Sequence, residues 1–278
     1  MSGCGWCLPE SMIEVDKVKM NNFKNMEHNG SFSPETRSIK VVTVVGARPQ
    51  FVKAAVVSRA LAQYPRIKEV IVHTGQHFDS NMSDVFFQEM SIPKPHYNLN
   101  IHGLGHGAMT GQMMEEIEKV LLEEQPDWVL VYGDTNSTIA GALTAKKLHI
   151  RVAHVEAGLR SFNMEMPEEI NRILTDRISD VLFCPTQTAL DNLKQEGFQH
   201  IRCKIVNCGD VMQDAALFYA HFAKKPEADL PARFVLCTVH RAENTDDTDT
   251  LLSIFSTLEK VATQYSVVLP LHPRTKVR

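Results

Sequence analysis

No apolar run in this chain approaches the roughly 18 residues a membrane-spanning helix needs, so the sequence offers no transmembrane segment. Nor does the N-terminus, MSGCGWCLPESMIEVDK, hold the continuous apolar stretch of a secretory signal peptide. A basic surplus is missing too: 29 lysines and arginines stand against 33 aspartates and glutamates, a net charge of −4, which leaves no footprint for nucleic acid. That imbalance is too mild to mark an acidic disordered tail. Cysteines are few and scattered. Cys4 and Cys7 form a lone CxxC with no second Cys or His pair nearby, which excludes the usual zinc patterns. Cys184, Cys203, Cys208 and Cys237 lie in or beside apolar runs and read as small core residues, as expected of a reducing cytoplasm. Internal repeats and low-complexity segments are absent.

What the sequence does have is apolar content, 44% of 278 residues, enough for one large or two ordinary domains at roughly 100 to 200 residues each. Residues 1–38 show weak periodicity and read as a poorly ordered extension, with Met20 and Met26 as conceivable alternative starts. From Ile39 onward short apolar runs alternate with helical patterns. IKVVTVVG, EVIVHTG, WVLVYGD, RVAHV, VLFCPT and IRCKIVN read as strands. Between them fall helices over QFVKAAVVSRALAQY, SDVFFQEM and residues 138–148, and one ending at Glu124 with Met114, Ile117, Leu121 and Leu122 on its apolar side. A helix opening at Pro167 and TALDNLKQEGF complete the set, while NLNIHGLGHG reads as a connection. Such alternation means an α/β fold, a parallel sheet with both faces covered. The expected first domain is 39–209. A connecting helix and linker fill 210–232, and a second βαβ begins at 233 and reaches 278 still incomplete.

The stretch RVAHVEAGLRSFNMEMPEEINR, residues 151–172, concentrates the chemistry. Glu156 stands where an apolar strand should end, a costly place for a carboxylate without a partner or a task. Pro167 opens a helix whose first turn holds Glu168 and Glu169, a placement that also suits carboxylates that only complement the helix dipole. Other strands also end in polar groups: Gly46-Ala47-Arg48-Pro49, His73 to His77, Gly133 to Asn136, and in the last unit His240-Arg241-Ala242-Glu243-Asn244. In an open α/β sheet these ends line the ligand crevice. Asp134 has a competing reading as the N-cap of the following helix, and Lys53 as a solvated helix lysine. The turn at Gly46 is neither GxGxxG nor a Walker sequence, which argues against NAD and ATP, and leaves Arg48 and Lys53 as cations for a diphosphate. His73, His77, His102 and His106 match no common zinc spacing.

GARPQFVK, HTGQHFDSNMSDVFF, YGDTNST, HVEAGLRSFN, MPEEINR and TVHRAEN, in this order, resemble the non-hydrolysing UDP-N-acetylglucosamine 2-epimerase family from about residue 39 to the end. The resemblance implies two Rossmann-like domains facing a cleft, a glycosyltransferase-B-like architecture with the second domain truncated here. It implies inversion at C2 of a UDP-sugar without NAD or metal, through expulsion and re-addition of UDP, by a cytoplasmic enzyme of cell-surface polysaccharide biosynthesis that is a homodimer when full length. The sugar is UDP-N-acetylglucosamine, or a UDP-diacetamido-glucuronic acid. By the same resemblance Asp134 and Glu168 are the proton-handling pair, Glu156 stabilises charge on the sugar and His240 holds the diphosphate. Arg48, Lys53, Gln76, His77, Arg172, Arg241, Glu243 and Asn244 bind substrate. The family's second domain runs about a hundred residues further, with a serine-glycine-rich loop and a glutamate for UDP. Weak UDP binding and poor turnover are therefore expected of this chain, an inactive truncated homologue being the extreme case. A glycosyltransferase, which needs one base and an acceptor site, fits the crowd of acids less well.

Overall fold

A computed structural model describes residues 38–76, 94–224, 226–240, 242–271 and 275, excluding the side chains of Arg48, Ala242 and Glu243. Residues 1–37 of the expected 1–38 extension, the helix SDVFFQEM, His77 and Arg241 lie outside these residues. The chain divides between Phe222 and Ala223.

The first unit is built on β1 (Ile39–Val45), whose β-branched residues are buried on both sides from Val41 onward. It pairs with β2 (Ile67–His73) on one side and β4 (Trp128–Tyr132) on the other. Two-residue β3 (Tyr97–Asn98) adds to the edge of β2, and β5 (Arg151–Val155), β6 (Val181–Cys184) and β7 (Lys204–Asn207) extend beyond β4. All seven strands are parallel, in the order β3-β2-β1-β4-β5-β6-β7. The order reverses between β1 and β4, which is where a doubly wound sheet opens a crevice at its carboxyl edge.

Alternate residues of the strands face two cores. Val42, Val44, Val72, Val129 and Val131 pack under α2 (His106–Glu124) and α3 (Asn136–Lys147). Val45, Ile71, Leu130 and Tyr132 pack with Phe51, Ala54 and Ala55 of α1 (Arg48–Ala62), against which Val211 and Tyr219 of α6 (Val211–Ala220) close. Flanking β6 are α4 (Pro167–Ile178) and α5 (Gln187–Gln195), with Leu182, Ala189, Leu193 and Phe198 forming a third cluster.

Two expectations need correction. The buried face of α2 is Met113, Ile117, Val120 and Leu121, while Leu122 is 58% exposed and Met114 only partly buried. The stripe is offset because spacings of four, three and one residues from Met113 keep to one helical face, and Leu122 turns another 100° away from it. Asn98, the first residue of the expected connection, joins Tyr97 in β3, a pairing too short to leave any alternation in the sequence.

In the second unit β8 (Val235–Leu236) and β9 (Val267–Val268) pair in parallel. Between them run the short α7 (Ala242–Thr245) and α8 (Thr248–Ala262), the latter capped by Asp247 accepting from Thr250 N at 2.7 Å. No described helix in either unit is long and apolar enough to cross a membrane.

Candidate active site

The crevice floor is made of small polar groups locked together. A Cβ on Gly46 would fall 2.1 Å from both Ser137 Oγ and Thr74 Oγ1, so only glycine lets the β1 turn approach α3 so closely. Gln50, 1% exposed, accepts from Gly46 N at 2.7 Å and Ala47 N at 3.0 Å. Its amide nitrogen donates to Tyr132 O at 2.7 Å and Thr138 Oγ1 at 2.9 Å. The loops after β1 and β4 are thereby cross-linked. Gln76 accepts from Ser137 N at 3.1 Å and Ser137 Oγ at 2.8 Å, fixing the end of β2 to the start of α3.

Above this floor stand two ion pairs. Lys53, 7% exposed, reaches across from α1 to Glu156 at the end of β5. Arg172 of α4 pairs with Asp134 beyond β4, and its other amino group lies 3.4 Å from Glu169 Oε2. Gly133, at φ 61°, sits between them: a Cβ there would meet Glu156 Oε2 at 3.1 Å. Asn171 donates to Asp134 O at 2.9 Å, and Asn136 meets His106 at 3.2 Å. Asp134 does not cap α3. Thr135 does, accepting from Thr138 N at 3.4 Å, which leaves the Asp134 carboxylate to Arg172.

The two glutamates of the PEE turn diverge. Glu169 is buried and accepts from Ser161 N, Ser161 Oγ and Phe162 N, each at 2.9 Å. Burial pushes its carboxyl up, but these hydrogen bonds and Arg172 outweigh burial and hold it below the usual carboxylate range. Glu168, one residue earlier, is exposed at the N-terminus of α4.

Behind the ion pairs, Asp176 of α4 binds His154 Nδ1 at 2.7 Å, Arg160 Nη1 at 2.7 Å and Gly158 N at 3.1 Å. His154 Nε2 in turn reaches Gly133 O at 2.7 Å. Burial raises the Asp176 carboxyl, and His154 and Arg160 more than reverse that, leaving it depressed. This buried network fixes both loops, the one carrying Asp134 through Gly133 O and the one carrying Glu156 through Gly158 N. Cys184 sits close by as an inert thiol, burial pushing it up to about 12.

The sequence itself finds a match among known proteins: the profile described as UDP-N-acetylglucosamine 2-epimerase fits residues 59–278. The chain belongs to that family. It is 61% identical over 241 residues to the UDP-2,3-diacetamido-2,3-dideoxy-D-glucuronate 2-epimerase of Pseudomonas aeruginosa, a match covering 86% of this chain and 68% of that one. The UDP-N-acetylglucosamine 2-epimerase of Methanocaldococcus jannaschii is 45% identical, and its crystal structure with UDP-GlcNAc and UDP superposes with a TM-score of 0.76, covering 86% of this chain and 67% of that one. The Neisseria meningitidis enzyme bound to UDP-GlcNAc gives 0.77 at 31% identity, covering 86% and 68%. The chain thus has the α/β, glycosyltransferase-B-like fold of 2-epimerases and spans about two thirds of the length of these relatives.

Of the residues expected to serve a 2-epimerase, Lys53, Gln76, Asp134, Glu156 and Arg172 gather at one crevice of the first unit, with Glu168 at the exposed start of α4. His240, exposed, and Asn244, half-buried, belong to the second unit. The side chains of Arg48 and Glu243, like His77 and Arg241, are outside the described residues. Sequence reasoning missed Gln50, His154, Arg160 and Asp176 and left Glu169 a dipole complement. One signal was available: Glu169, Arg172 and Asp176 are spaced three and four residues apart, on one face of α4.

Proposed function

We propose that this chain inverts C2 of a UDP-2-acetamido sugar by eliminating and re-adding UDP. The observation that carries the reading is the pair of ion pairs on adjoining strand ends, Lys53 with Glu156 and Arg172 with Asp134, which holds acids and cations around one crevice.

The C2 proton has no neighbouring carbonyl and is not acidic. Its removal must therefore accompany cleavage of the C1–O bond, the electron pair of C2–H forming the C1=C2 bond of a glycal as UDP departs. Re-addition puts UDP back on C1 and a proton on the opposite face of C2. A base and an acid on opposite faces are required, and Asp134 and Glu168 are assigned to them. Arg172 orients Asp134. Glu156, paired with Lys53, opposes positive charge developing on the sugar. Arg48 and His240 are assigned to the diphosphate, with Gln76, His77, Arg241, Glu243 and Asn244 as further substrate contacts. Residues 39–209 and 233–278 are read as the first domain and the beginning of the second. Free Cys184, Cys203 and Cys237 support a cytoplasmic setting. Exposed Ile170 and Leu174, on successive turns of α4, support a homodimer.

Within this substrate class the 61% identity to the Pseudomonas enzyme favours the UDP-diacetamido-glucuronate over UDP-N-acetylglucosamine. Incubating the chain with each UDP-sugar in D2O and following the C2 proton by NMR tests both points. The expected result is loss of that signal and growth of the manno epimer with one sugar. Transfer of the sugar to an acceptor, with C2 unexchanged, would replace epimerase by glycosyltransferase.

A further inference from the structure

Five described residues other than glycine hold a left-handed backbone: Asn100, Gln125, His149, Glu156 and Phe162, with φ from 46° to 72°. Three have ordinary reasons. Asparagine enters this region readily, Gln125 is the C-cap of α2, and His149 follows the C-cap of α3, where a left-handed residue commonly ends a helix. The other two share the loop between β5 and α4. Glu156 is one of the acids assigned above. Phe162, at φ 59°, is a bulky residue for which this conformation is an outlier.

Glu169 imposes that conformation. Its buried carboxylate takes Phe162 N on one oxygen and Ser161 N and Oγ on the other, and the second oxygen also faces Arg172. The guanidinium that pairs with Asp134 is therefore tied to the backbone of Phe162. Yet the conformation buries no apolar side chain in return, because Phe162 is 74% exposed and Met164 beside it 61%. Backbone strain that no core contact offsets is a mark of functional sites.

We propose that Phe162 is a substrate-contacting residue, a pre-set apolar face that covers the acetamido-sugar part of the UDP-sugar. The inference rests on the 2-epimerase reading and adds to it the group that grips the sugar. A 2-acetamido hexose offers a methyl group and a C–H-lined ring face, both of which an aromatic ring covers well. The sugar rather than the uracil is implicated because the clamp runs through Glu169 and Arg172 to Asp134, the residue assigned to C2.

Calorimetric titration of the full chain with UDP and with its UDP-sugar, beside thermal unfolding, tests this for Phe162→Ala, Phe162→Gly and Phe162→Tyr. Alanine and glycine are expected to weaken the UDP-sugar about 3- to 10-fold and leave UDP unchanged, while tyrosine keeps the sugar affinity. Glycine is also expected to raise the melting temperature, since it enters the left-handed region freely. Three results would overturn the proposal: unchanged sugar affinity in the alanine and glycine variants, equal losses for UDP and UDP-sugar, or a glycine variant as destabilised as the alanine one, which would place the ring's contacts within the protein. If the wild-type chain neither binds nor exchanges any UDP-sugar, the 2-epimerase reading fails, and this proposal falls with it.

Discussion

Asp176 shows how much depends on single side chains in this molecule. Fully buried, it answers His154, Arg160 and the Gly158 amide at once, and removing its charge leaves Glu196 as the carboxylate that still pairs with Arg160. Asp176→Asn should cost about 3 kcal/mol or more in urea unfolding, since one partner of a buried charged network is lost. Gly133→Ala should cost about 1 to 2 kcal/mol, because φ is 61° and the new methyl presses on Glu156; its rate of C2 exchange should fall more than its stability. A Gly133→Ala protein as stable as wild type would show that the turn relaxes freely. Asp134 and Glu156 were legible as candidates because a carboxylate after an apolar strand asks for a partner. The partners were not, since Arg172 and Lys53 lie 38 and 103 residues away in sequence.

At the scale of the element, α4 carries two of the groups that make the fold acid-sensitive. Glu169 and Asp176 both have depressed carboxyls in the folded protein, so their stabilisation is fully present above the unfolded values of about 4. It is lost as pH falls through the lower folded values. Urea midpoints should therefore hold steady from neutrality to about pH 5 and drop below about pH 4. In Glu169→Gln and Asp176→Asn that acid drop should be shallower, although both start from lower stability. An unchanged slope in both variants would remove these groups from the acid transition. The strands and most helices of the first unit were legible because β-branched runs alternate with helical spacing. The face of α2 was misread by one position because Leu122 and Leu121 are equally apolar, and only packing distinguishes them.

For the whole molecule, α6 belongs energetically with the sheet. Arg59 of α1 lies 3.6 Å from the Phe218 ring centroid and donates to Tyr219 Oη at 2.8 Å, while Val211 and Tyr219 pack against the second core. Residues 38–222 should thus unfold cooperatively as an isolated piece, and residues 38–209 should be destabilised by several kcal/mol from lost apolar cover. Equal melting temperatures for the two pieces would contradict this. The parallel, doubly wound order was legible in outline, because strand and helix patterns alternate without hairpin signals. The crossing of α6 back over α1 was not, since nothing local in a sequence says which helix a later helix will meet.

The assignment of Asp134 and Glu168 as the two proton-handling groups is tested most directly by deuterium wash-in at C2 of the UDP-sugar, comparing wild type with Asp134→Asn and Glu168→Gln. Each variant should lose exchange by about 100- to 10,000-fold. Exchange at the wild-type rate in both would contradict it.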